Sequence, residues 1–93
     1  MFFIIDIEFA PNKSAKNKQE RGLPFYCVQQ FNWESALIHQ DTRFDYPEPR
    51  YIALGYIAER LHVLVFAETE TGIRVISLRK ANQREINRYE QHS

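Results

Sequence analysis

The chain has 93 residues, enough for one domain with a single small core. Twelve basic and twelve acidic side chains give zero formal net charge, so bulk charge offers no argument for a polyanion partner. One cysteine, Cys27, rules out an internal disulfide and fits a reducing compartment.

Charge is nevertheless segregated. Residues 12–22 carry Lys13, Lys16, Lys18 and Arg21 against Glu20, and residues 73–93 carry Arg74, Arg79, Lys80, Arg84 and Arg88 against Glu85 and Glu90. Between them, residues 34–48 carry Glu34, Asp41, Asp45 and Glu48 against Arg43. Two basic ends that meet in space make a polyanion site; apart, they only solvate two helices.

In chain order, Phe3, Ile5, Ile7 and Phe9 alternate with Asp6 and Glu8, which predicts a strand over residues 2–9 with one buried face. The apolar run Phe2–Ile5 is too short for a signal peptide or membrane span, so a soluble, cytoplasmic protein with no membrane contact is expected. Residues 12–21 predict a surface helix almost without apolar side chains, ended by Gly22. Pro24 opens a second helix whose Phe25, Val28 and Phe31 form an inward stripe at i, i+3, i+6, with Cys27 beside it as a core residue.

Residues 36–40 predict a short strand, 41–49 an acidic loop with two prolines, and 50–58 a strand in which Gly55 marks a bulge or a close approach. Leu61 to Ala67 reads as a central strand, buried on both faces. Glu68–Gly72 connects it to the strand Ile73–Leu78. A C-terminal helix follows, capped by Asn82 with Glu85 at capping-box spacing. The order β-α-α-β-β-β-β-α predicts an α+β fold with an antiparallel meander, two helices in the N-terminal half and one at the C-terminus, as a single domain over residues 1–93.

His39, His62 and His92 lie far apart with a lone Cys27, so no metal-ligand spacing is present and no cofactor is expected. Pairing Ala67 with Arg74 places His62 opposite Arg79 and Leu64 opposite Ser77. His62, Glu68, Ser77 and Arg79 then share one sheet face, and Arg74 lies on the other unless a bulge re-aims it. RNA cleavage through the 2′-hydroxyl needs a base, an acid, and donors for the charged phosphorane. Glu68, Arg50, Arg74, Arg79 and Lys13 are compatible with that inventory, which many proteins share.

Two segments are more specific in combination: Glu48-x-Arg50-Tyr51-Ile52-Ala53-Leu54-Gly55 and Arg74-Val75-Ile76-Ser77-x-Arg79-x-Ala81-x-x-x-Glu85-x-x-x-Tyr89. With Lys13, Asn17, Gly22-Leu23-x-Phe25, Asp41 and Glu68 in the same order, the chain resembles the BrnT toxins, small ribonucleases of type II toxin–antitoxin modules.

The resemblance covers nearly the whole chain. It implies a RelE-like fold, metal-independent RNA cleavage, growth inhibition, and neutralisation by a BrnA-like antitoxin through which DNA is reached only indirectly. By motif it carries over Glu68, Arg74 and Arg79 as catalytic, Lys13, Arg50, Ser77 and Lys80 as RNA-binding, and Glu48 beside them. The chain departs from the family pattern at Phe9-Ala10 and at Glu20-Arg21. The alternative is a non-catalytic member that binds protein within a repressor complex.

Overall fold

A computed structural model of the chain describes residues 6–92. In order they form β1 (Asp6–Glu8), α1 (Pro11–Arg21), a 3-10 turn over Phe25–Gln30, β2 (Leu37–Gln40), β3 (Tyr51–Ile57), β4 (Arg60–Glu68), β5 (Gly72–Lys80) and α2 (Gln83–Gln91). The strand expected over residues 2–9 is present from Asp6, and its first four positions lie outside the described residues.

The α+β class holds, but the sheet is not a simple meander. Its order is β1-β5-β4-β3-β2. β2 to β5 pair antiparallel in sequence order, as expected, while β1 joins the far edge parallel to β5, making the sheet mixed. That pairing joins segments more than sixty residues apart, which local patterning does not report. Gly72 permits it, because a Cβ there would collide with the backbone of Asp6.

The helix expected from Pro24 is instead a 3-10 turn. The apolar stripe at i, i+3, i+6 has the three-residue period of a 3-10 helix, so the same spacing that suggested an α-helix is satisfied by the tighter form. Phe25 and Val28 are almost fully buried on the sheet with Phe31, Leu64, Phe66, Val75 and Leu78, and Cys27 packs against this cluster.

α1 is held by hydrogen bonds rather than by apolar area. Asn17 Nδ2 donates to the carbonyls of Leu23 (2.6 Å) and Leu78 (2.9 Å), and Ser14 Oγ accepts from the backbone of Phe25 (2.9 Å). Gly22 ends the helix at φ 72°, its N–H on the Lys18 carbonyl. An almost wholly polar helix is thereby fixed beside the end of β5.

The opposite sheet face carries a second cluster of Leu54, Leu61, Val63, Ala81 and Tyr89, with Ile52 and Ile86 against it. α2 covers that end of the face, and Tyr89 Oη donates to the Ser35 carbonyl at 2.8 Å. The capping box read from Asn82 and Glu85 is formed in both directions. With only nine residues α2 leaves the neighbouring stretch of the same face open. Among the described residues no helix is long and apolar enough to cross a membrane.

Candidate functional site

The β4–β5 ladder decides which side chains meet. It starts as the sequence suggested, with Ala67 opposite Arg74, and then slips between Val65 and Phe66. Phe66 pairs with Val75 and Val65 with Ser77, so Ile76 is an extra residue on β5. Past this bulge, Arg79 faces Val63 rather than His62, which faces Lys80.

Directly opposed residues share a face, so the slip carries Ser77 and Arg79 to the side of Val63, Val65, Ala67 and Arg74. Glu68 alternates with Phe66 on the other side. The expected grouping of Glu68 with Ser77 and Arg79 is therefore corrected: the bulge separates them across the sheet.

On the open part of the α2 face, one rung runs across four strands: His39, Ile52, Val65 and Ser77. It floors a groove of about 440 Å³. Arg79 and Val63 continue the floor, Glu85 and Arg88 of α2 form one wall, and Arg43 and Arg21 close the groove from the loop after β2 and the end of α1. Arginines from four separate segments thus converge above an apolar floor that bears one hydroxyl and one imidazole.

Two of these guanidiniums are held in place. Arg79 Nη1 and Nη2 donate to Oε1 and Oε2 of Glu85, each at 2.7 Å, and Glu85 is itself fixed by the Asn82 backbone. This pair raises the Arg79 pKa and lowers that of Glu85, so both stay charged. The Arg79 side chain remains 39 % exposed, which leaves part of its five-donor fork facing the groove. Arg43 is gripped by the buried Asp41, through Nε to Oδ1 and Nη2 to Oδ2, both at 2.9 Å, while Tyr46 Oη donates to the same carboxylate at 3.0 Å. The Arg43 hydrogen bonds hold the Asp41 carboxyl far below the usual carboxylate range.

Residues 9–85 match the family model described as ribonuclease toxin, BrnT, of type II toxin–antitoxin systems. The chain belongs to the BrnT family. Nothing among curated proteins matches it. Membership makes the chain a ribonuclease toxin by family, with an antitoxin as its partner.

Of the residues that BrnT resemblance singled out, the groove takes in Ser77 and Arg79. Arg74 shares their face but sits near the other end of β5, paired with Glu48 and 3.9 Å from Glu8. Arg50 stacks its guanidinium 4.3 Å from the Tyr46 ring, away from the groove lining. Lys80 lies opposite His62 on the far face, and Lys13 is exposed on α1 outside the lining. Glu68 borders an apolar hollow with Tyr51, Phe66 and Ile73, and its hydrogen bond with Tyr51 raises the phenol pKa.

The sequence reading missed His39, Arg21, Arg43 and Arg88 as lining residues. Arg21 was recoverable: it lies one helical turn beyond Asn17, the residue that anchors α1 to β5. Arg43 was hidden by its acidic neighbours, one of which turns out to be its own clamp.

Proposed function

We propose that the groove binds the phosphodiester backbone of RNA and cleaves it through the 2′-hydroxyl without a metal ion. The observation that carries this reading is the convergence of Arg21, Arg43, Arg79 and Arg88 on one open groove in a chain of zero net charge. Guanidinium forks match phosphate oxygens, and permanently charged donors can take up the charge that develops on the phosphorane. Arg79 and Arg43 are the strongest candidates for that role, because Glu85 and Asp41 hold them in one orientation before substrate arrives. Ser77 Oγ supplies a further polar contact on the floor.

We further propose a cytoplasmic toxin that inhibits growth until a BrnA-like antitoxin covers it, DNA being reached only through that antitoxin; membership in a type II toxin–antitoxin family supports this reading. A second reading, a non-catalytic partner in a repressor complex, is favoured by one observation: both terminal nitrogens of Arg79 already bond Glu85.

Purified protein incubated with single-stranded RNA in chelator separates the two. The enzymatic reading expects cleavage that falls about a hundredfold or more in Arg79→Ala, the range for losing one oxyanion donor. Equal background from wild type and variant removes it and leaves the binding role.

A further inference from the structure

We infer that His39 is the proton-transfer group of the cleavage reaction, taking the proton from the attacking 2′-hydroxyl. The inference rests on the ribonuclease reading of the groove.

The polar and charged groups that line the groove with His39 are Arg21 of α1, Arg43 of the loop after β2, Ser77 and Arg79 of β5, and Glu85 and Arg88 of α2. Arginine stays protonated at any working pH, so it stabilises charge and does not relay a proton. Glu85 has both carboxylate oxygens engaged by Arg79, one of them also by the Asn82 backbone, and the Arg79 hydrogen bond lowers its pKa. With three hydrogen bonds taken up by Arg79 and Asn82, it serves as a clamp on Arg79. Glu68, the carboxylate the sequence offered for this step, is on the opposite face of the sheet. His39 remains: an exposed imidazole on the edge strand, in register with Ser77 at the other end of the same rung.

Three inter-strand spacings put the ends of that rung about 14 Å apart. His39 from β2 and Arg79 from β5 line the same groove, on either side of its apolar floor. In the reaction, a neutral His39 ring nitrogen accepts the 2′ proton as the O2′–P bond forms. The P–O5′ bond breaks and leaves its electron pair on O5′, which takes a proton from water; protonated His39 returns its proton to the hydroxide so formed.

The test is cleavage of single-stranded RNA by wild type, His39→Ala and His39→Asn across pH 5 to 8, the range in which an imidazole changes charge. Binding of an RNA carrying a 2′-methoxy group at every position, which cannot undergo the attack, is measured beside it. Both variants are expected to lose about a hundredfold or more in cleavage. They are expected to bind the blocked RNA within twofold of wild type, and their cleavage rates are expected to vary less with pH than those of wild type. Imidazole in the buffer is expected to restore part of the His39→Ala rate. Variants that cleave within twofold of wild type overturn the role while leaving the ribonuclease reading intact. Equal losses in cleavage and in binding also overturn it, since they mark a substrate contact rather than proton transfer. A wild type that leaves RNA whole overturns both readings.

Discussion

Glu85 holds Arg79 through two hydrogen bonds of 2.7 Å while closing the capping box of α2 on Asn82. One carboxylate thus starts a helix and aims a guanidinium, so the local signal for a helix start is also the device that orients the site. Gln can still close the capping box, so Glu85→Gln is expected to lower stability by about 1 kcal/mol through the lost charge-assisted bonds to Arg79, which is about 4–8 °C in Tm for a domain of this size. The pH dependence follows from the sign of the shift. Hydrogen bonding to Arg79 puts the folded pKa of Glu85 below its ordinary value of 4.5. Its stabilisation is therefore present above that value and is lost as pH falls through the lower, folded one. Thermal melts of wild type and Glu85→Gln should differ at neutral pH and converge on acidification below 4.5.

Arg79 and Arg74 stand on one strand and one face, yet they belong to different surroundings. Arg79 opens into the groove, whereas Arg74 is committed to Glu48 and Glu8. Arg74→Ala is expected to reduce RNA cleavage by less than about tenfold, against about a hundredfold or more for Arg79→Ala. In salt titrations of single-stranded RNA binding, Arg79→Ala should flatten the log–log slope by about 0.7, the contribution of one phosphate contact, and Arg74→Ala should leave it near wild type. Equal effects of the two substitutions on both measurements would count against the groove as the binding surface.

Gly55 lies under Phe31, and a Cβ built there comes within 2.9 Å of Phe31 Cε2. The ring has little room to retreat, because it is buried and packs edge-on against Trp33 at a centroid distance of 4.8 Å. Gly55→Ala is expected to destabilise by about 1–3 kcal/mol through overpacking, measured by urea titration at unchanged m value. Phe31→Leu in the same chain should recover part of that loss, since it removes the atoms in the way.

Features written in neighbouring residues were legible beforehand. The Asn82–Glu85 box, the Gly22 terminator and the Ala67–Arg74 pairing each depend on a few positions of strong local preference. The bulge was not legible, because Ile76 is as apolar as its neighbours and nothing in the residue marks it as the extra one. That single insertion sends Ser77 and Arg79 to the face away from Glu68, so which of these three share a face could not be read from alternation alone. His39 had been weighed only as a metal ligand. Its meaning comes from the rung that joins it to Ser77, a relation among four strands that no spacing in the chain records.

Glu68 supplies the last prediction. Its carboxylate sits beyond the bulge on the face of Phe66 and Ile73, where it shares a hydrogen bond with the Tyr51 hydroxyl. The sheet backbone stands between it and the groove, so it cannot reach a phosphodiester held by Arg79. Glu68→Gln keeps the size of the side chain and a hydrogen-bonding oxygen for Tyr51. It is expected to cleave RNA within twofold of wild type, with an unaltered pH profile. The Tyr51 phenol should titrate at lower pH in this variant, because it is the bond to the charged carboxylate that raises its pKa. Ultraviolet difference titration of the tyrosines reads that change directly. A Glu68→Gln protein that lost cleavage while keeping its RNA affinity would place the proton-transfer step on this face of the sheet and away from His39.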